Sequence, residues 1–301
     1  MAAAASEATC DPDHARFEDD VDGVRAAVTG GWARGIYDRD HDDNPFARDW
    51  HVIVPYCTGD VHWGDATVTY GSGADTTTIH HRGAVNARAV LDWTARAVSR
   101  PSRVLVTGCS AGAYGSALWS AHVARRWPEA NVVQLGDSGA GVVTDAFFRE
   151  GFPVWRAEGA FPAFIPEIAP ASVDLRDRSL VDLYVAVSRH FPAMRMAQFN
   201  RTGDADQLLY YTAMGGTDPR AWQREMLASI GRIEQAAPGF SSFTVPGEGH
   251  CITPTDDFYE LEVAGVRFVD WMAALMQRPV PSVRCVDGDC DPLGGIRSAS
   301  R

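Results

Sequence analysis

The sequence predicts an α/β fold, a mostly parallel sheet flanked by helices. Three observations point there. Short apolar or β-branched runs recur at 51–55, 103–107, 131–135, 195–200 and 242–245. Helical patterns at 83–98, 111–126, 179–190, 219–235 and 259–276 separate most of them. Strands joined through helices of that length pair in parallel. A chain of 301 residues, 46% of them hydrophobic, can bury a sizeable core. One domain is expected over 1–278, followed by a C-terminal tail over 279–301.

Taken in chain order, residues 51–55 (His-Val-Ile-Val-Pro) read as a strand because three β-branched residues run together. The helix expected at 83–98 leads into the most informative stretch, residues 103–114. There Val104, Leu105 and Val106 suit a buried strand. Gly108-Cys109-Ser110-Ala111-Gly112 makes a Gly-x-Ser-x-Gly turn, and an Ala-rich helical run follows to residue 126. In that setting a tight turn lifts a serine above the sheet, with glycines where no Cβ fits. The helix N-terminus adds partial positive charge, and the Ala111 N–H can face a developing oxyanion. Ser110 is the expected nucleophile.

After the strand at 131–135 the pattern changes. Phe147, Phe148, Phe152, Trp155, Phe161 and Phe164 crowd together with Pro153, Pro162, Pro166 and Pro170. Proline breaks a regular core helix, yet the stretch is too apolar for a solvated loop. Residues 140–194 are therefore the candidate cap, of modest length.

Composition narrows the partners. The net charge is −12, and all 27 basic residues are arginine. That balance argues against nucleic acid and anionic membranes, which need a basic face. No apolar run reaches the roughly 18 residues of a membrane span. No signal peptide is visible in Met1-Ala-Ala-Ala-Ala-Ser-Glu, so localisation stays open. The six cysteines, Cys10, Cys57, Cys109, Cys251, Cys285 and Cys290, show no Cys-x-x-Cys pair, so no metal site is expected. Cys285 and Cys290 are spaced to close a small loop. The acidic run Asp38 to Asp43 lacks the glycine and distal glutamate of a calcium loop and reads as a solvated face.

A serine nucleophile needs a base, and the base needs an acid to orient it. Among nine histidines, His250 stands apart, in a Gly247-Glu248-Gly249-His250 turn directly after a late strand. His122 and His190 lie on helices; His80 and His81 precede one. The acid should fall between Ser110 and His250. Asp137 comes too soon and reads as an Asx turn with Ser138 and Gly139. Residue type alone does not separate Asp204 from Asp206.

Several linked motifs decide more. Asn44-Pro45-Phe46, the run Val54-Pro55-Tyr56-Cys57-Thr58-Gly59-Asp60-Val61-His62-Trp63-Gly64-Asp65, then His81-Arg82-Gly83-Ala84-Val85-Asn86-Ala87 precede the serine turn, and Asp137-Ser138-Gly139 follows it. Over about residues 10 to 275 the chain resembles the pectin acetylesterase/Notum family. The resemblance implies an α/β-hydrolase-like fold with a cap insertion, and a Ser-His-Asp triad cleaving carboxylic esters without metal or other cofactor. Its Asp-x-x-Gln motif matches Asp204-Ala205-Asp206-Gln207 at Asp204, and its histidine matches His250. His62, Trp63 and Asp65 either shape a substrate groove or support their own turn.

One departure stands out. The family's first strand, running into a Gly-Gly loop that completes the oxyanion hole, has no counterpart in its expected place; Gly30-Gly31-Trp32 falls too close to Gly35. Without that loop, the rival to a short-chain serine esterase is a non-catalytic glycan- or acyl-binding protein of the same fold. The partner expected in the first case is an ester substrate, a small acyl ester or an acylated glycan.

Overall fold

The computed structural model describes residues 34–73 and 75–284. Cys10, Gly30-Gly31-Trp32, the Cys285/Cys290 pair and the question of a first family strand lie outside the described residues. After a short 3-10 turn (Gly35–Tyr37), the first strands form an antiparallel hairpin, β1 (Ala66–Ser72) and β2 (Asp75–His81). Helix α1 (Gly83–Ala97), β3 (Arg103–Cys109), α2 (Ala111–Arg126) and β4 (Asn131–Asp137) come next. Then follow α3 (Asp145–Val154), α4 (Leu180–His190), β5 (Arg195–Arg201), α5 (Ala205–Ala213) and α6 (Pro219–Ala236). The chain closes with β6 (Phe240–Val245), α7 (Phe268–Leu275) and β7 (Val283–Arg284).

Strands β3 to β7 form one parallel sheet in the order β3-β4-β5-β6-β7, an α/β-hydrolase-like sheet flanked by helices. Parallel strands are covered on both faces, so they carry continuous apolar runs. Alternate residues feed two cores. Val132 and Met196 face Leu118, Tyr184, Trp222 and Ile230. Val133, Leu135, Phe199 and Phe243 face Phe258, Phe268 and Trp271. The register sets Cys109 beside Asp137, Asp137 beside Phe199, and Phe199 beside Phe243. The loops after β3, β4, β5 and β6 therefore leave the sheet at one level.

Several elements differ from the sequence reading. Residues 51–55 are not a strand. A strand needs a partner for its N–H and C=O groups, and this stretch is separated from β3 by a groove of about 650 Å³. The helix expected at 259–276 is broken: a short helix (Asp257–Glu260) gives way to a two-stranded hairpin, Glu262–Val263 with Val266–Arg267, before α7 begins. Ala264 and Gly265 both hold positive φ, as a two-residue hairpin turn requires. The β1–β2 hairpin carries no apolar run; its exposed face is held by Thr69–Thr78, 3.0 Å apart, and Thr67–His80, 3.1 Å apart. Helices α3 and α5 also went unread. In α3, Pro153 sits one residue from the end, where it stops the helix rather than kinking it.

Beyond α3, segment 140–194 runs through three 3-10 turns (Ala157–Ala160, Pro166–Ile168, Leu175–Asp177) into α4. Phe152, Trp155 and Phe161 bury there, with Phe152 and Phe161 rings 5.2 and 5.3 Å from Trp63. Among the described residues, no helix is long and apolar enough to cross a membrane.

Candidate active site

Ser110 occupies the turn between β3 and α2 with φ 56° and ψ −116°. Positive φ in a residue with a side chain costs free energy and concentrates at functional sites. The turn closes because Gly108 has no Cβ: one there would fall 2.5 Å from the Gly112 carbonyl carbon. At Gly112, by contrast, a Cβ would meet nothing within 4 Å, so only the first of the two glycines is sterically required. The Ser110 N–H donates to the Asp137 carbonyl at 2.8 Å. Ala111 opens α2, so its N–H has no helical acceptor.

His250 and Asp204 meet across two loops. Nδ1 of His250 lies 2.9 Å from both carboxylate oxygens of Asp204. The Asp204 side chain is fully buried, while that of His250 keeps 18% of its surface. Asp204 is also the N-cap of α5, accepting from the Gln207 N–H at 3.0 Å. The Gln207 side chain reaches back to the second oxygen at 3.0 Å, and its own carbonyl accepts from the Ala140 N–H at 2.9 Å. The loops are laced by backbone bonds from Gly203 to Gly247 and from Ala205 to Glu248, each 3.0 Å. Asp206 is partly exposed; it lies close enough to add charge without replacing Asp204 on the ring.

A disulfide joins Cys109 to Cys251, the neighbours of Ser110 and His250. A ring nitrogen of His250 lies within 4.8 Å of both sulfurs. Asp137 reinforces the join. Its buried carboxylate accepts from the N–H groups of Ile252 (3.0 Å) and Thr253 (2.8 Å) and from the Thr253 hydroxyl (2.6 Å). Ser138 Oγ accepts from the Cys251 N–H at 3.0 Å. Asp137 is thus no Asx turn; it fastens the loop carrying His250. The Ser110 hydroxyl makes no hydrogen bond with His250.

Electrostatics follow from this packing. Burial disfavours a charged His250, but the Asp204 hydrogen bond and the charges of Asp204, Asp206 and Asp137 together raise its pKa above the ordinary value. Burial pushes the Asp137 carboxyl up, against the hydrogen bonds it accepts. Two groups have metal-like spacing among the described residues, Cys109/His250/Cys251 and Asp204/Asp206/His250. In the first, the sulfurs are spent in the disulfide and offer no thiolate. In the second, Asp204 is committed to His250 and Gln207.

Residues 26–148 match the family model for pectinacetylesterase. Over that stretch the chain is similar to the pectinacetylesterase family. Two crystal forms of the Wnt deacylase Notum from Drosophila superpose with TM-scores of 0.57 and 0.60 at 16% and 18% identity. Each alignment covers 90% of this chain, and 86% or 87% of Notum. That likeness shows a shared fold. No curated protein sequence gives a significant match. The partial family match and the shared fold support an esterase or deacylase of the α/β-hydrolase type.

The pectinacetylesterase motifs upstream of the serine turn now have structural roles. Asp60 accepts from Thr58 Oγ1 and the N–H groups of His62, Gly64 and Gly83, pinning the 58–64 loop to the start of α1. Trp63 Nε1 donates to the Tyr114 carbonyl on α2, and Asp65 pairs with Arg82. His81 bridges the Tyr70 hydroxyl and the Thr58 carbonyl, both at 2.8 Å. His62 is buried and its pKa falls to about 4 through desolvation. These residues support the turn, and Trp63 also lines a cavity under 140–194. His122 bonds the Ala160 carbonyl at 2.9 Å, and His80 bonds Thr67 at the surface. The acidic run is tied down by Asp43–Arg267 and by His41 stacked on Tyr259, rings 3.5 Å apart.

Proposed function

We propose that the chain is a serine carboxylesterase in which Ser110 is nucleophile, His250 general base and Asp204 the orienting acid. The observation that carries this reading is the His250–Asp204 pair, hung beside Ser110 by the Cys109–Cys251 bridge. Ser110 Oγ attacks the ester carbonyl carbon as its proton passes to Nε2 of His250. Asp204 holds Nδ1–H and stabilises the imidazolium. The tetrahedral oxyanion accepts from the Ala111 N–H. Collapse expels the alcohol, which takes the proton from His250 and leaves an acyl-Ser110. Water, deprotonated by His250, then releases the carboxylic acid and restores the serine.

The acyl side is supported by a cavity of about 420 Å³ lined by Trp63, Tyr114, Phe152 and Phe161, with Arg149 and Arg178 at its polar side. Tyr114 stands one helical turn from Ser110, which favours short acyl groups, acetyl to butyryl, on a polar carrier such as a glycan. Residues 140–194 act as the cap over that cavity. The binding-protein reading draws on one observation: the groove along β3 leaves Ala111 as the one assigned oxyanion donor. Hydrolysis of p-nitrophenyl acetate and butyrate, with fluorophosphonate labelling mapped to Ser110, tests the enzyme. Absent turnover and labelling, with retained binding of acylated glycans, would establish the binder instead.

A further inference from the structure

We infer that Cys109 and Cys251 are positioning residues, and that their disulfide sets Ser110 against His250 so that turnover requires the oxidised form. The inference rests on the triad proposed above. Its ground is placement: the bridge joins residues adjacent to nucleophile and base across 142 positions of chain, with Cα atoms 5.6 Å apart. The base loop has few other ties to the serine turn. Ser110 binds Asp137 through its own N–H, and residues 251–253 bind Asp137 and Ser138, so both sides lean on β4. Only the bridge connects them directly, and Ser110 and Cys251 both hold φ 56° at its ends. Asp204 fixes the imidazole from behind but does not set its distance from Ser110.

The bridge is also reachable from one side. Cys251 is buried, whereas Cys109 is exposed and lines the groove along β3. A dithiol reductant attacks there: its thiolate bonds Cys109 Sγ and expels Cys251 as a thiolate, which takes a proton. The second thiol closes the reductant's own disulfide and frees Cys109. Two electrons and two protons pass to the protein. Cys57 is the free cysteine among the described residues and is half-buried beside Asn86.

The test follows p-nitrophenyl acetate hydrolysis by the full chain before and after dithiothreitol, and again after reoxidation. Reduction should lower kcat about 100-fold, because small misplacements of reacting groups cost that much. KM should stay within about twofold and circular dichroism should hold, since substrate binding and the sheet do not use the bridge. Reoxidation should restore kcat. Cys57→Ser should respond like the parent. Cys109→Ser with Cys251→Ser should match the reduced parent and ignore reductant. Unchanged kcat on reduction overturns the inference, as does a loss that tracks lost near-ultraviolet signal or disappears in Cys57→Ser. Should the oxidised chain hydrolyse no ester, the proposed function fails separately. The clamp is then read from the His250 ring-proton resonance, which moves on reduction if the inference holds and stays put if it does not.

Discussion

The two flanks of Ser110 are built differently. On the β4–β5–β6 side, the loops after three neighbouring strands are bonded to one another through Asp137, Ser138, Asp204, Gln207 and the Cys109–Cys251 bridge. On the outer side, β3 is the sheet edge among the described residues, and Gly112 faces open space across a groove bordered by exposed Trp50 and Val52. Proton transfer needs groups held to a fraction of an ångström, and the packed flank supplies that for the proposed base and acid, His250 and Asp204. The open flank offers donors and access but no rigid counter-wall. Catalysis, on this comparison, depends steeply on the packed side.

The largest effect should come from the residue the two flanks share. Ser110→Ala removes the nucleophile, and ester hydrolysis should fall by about 10⁵-fold or more while circular dichroism is unchanged. Activity that survives in this variant would place the chemistry elsewhere. On the packed flank, Asp204→Asn should cost about 10⁴-fold in kcat, because the ring loses its tautomer and its orientation. Asp137→Ala tests the fastening beneath. It orphans three buried donors at Ile252 and Thr253, each worth about 1–3 kcal/mol, so unfolding in urea should shift by at least about 3 kcal/mol. A stability change under about 1 kcal/mol would mean that the 251–253 loop holds itself.

The packed flank was partly legible in the sequence because its chemistry is local. A Gly-x-Ser-x-Gly turn between an apolar run and an Ala-rich stretch places Ser110, and a Gly-rich turn after a late strand places His250. The choice between Asp204 and Asp206 was not local: it depends on which carboxylate faces a loop 46 residues away, and only the Asp-x-x-Gln resemblance pointed to Asp204. Gln207 earns its place in that motif by gripping Asp204 and Ala140. The role of Asp137 was misread because Asp-Ser-Gly suits a turn equally well, and its partners lie more than a hundred residues on. The cysteine pairing had a signal, a Cys before the serine and a Cys after the histidine, that spacing rules do not contain. Residues 51–55 failed for the opposite reason: β-branched composition is necessary for a strand, but pairing is a tertiary event.

Acyl length probes the cap side of the same site. The cavity under 140–194 has Trp63, Tyr114, Phe152 and Phe161 on one side and charged residues such as Arg149, Arg178 and Glu225 on the other, and is limited to about 420 Å³. Each buried methylene contributes about 0.8 kcal/mol, so kcat/KM should rise about three- to fourfold per carbon while the chain still fits. It should then fall, steeply beyond about eight carbons, once overpacking begins. A series of p-nitrophenyl esters from acetate to palmitate reads this directly. A long-chain optimum would show that the cap opens, or that the groove along β3 takes the acyl group instead.

The smallest effect expected is a displacement of the pH profile, and it separates Asp204 from Asp206 by role rather than by rate. As the proposed base, His250 must be neutral to act, and its pKa is raised above the ordinary value of about 6.5. The limb of kcat/KM should therefore rise with pH and reach half-height above 6.5, not at it. The stability linkage runs the other way. A raised folded pKa means the protonated imidazole stabilises the fold fully below about 6.5 and loses that contribution as pH climbs through the folded value. Activity should grow in the same interval where this part of the stability fades. Asp204 holds the Nδ1 of His250, while the charge of Asp206 contributes to the raising field. Asp206→Asn should accordingly move the limb down toward 6.5 and narrow the interval of fading stability, with the plateau kcat nearly preserved. An unmoved limb would assign the raised pKa to Asp204 and Asp137. A collapsed plateau would show that Asp206, not Asp204, orients the base.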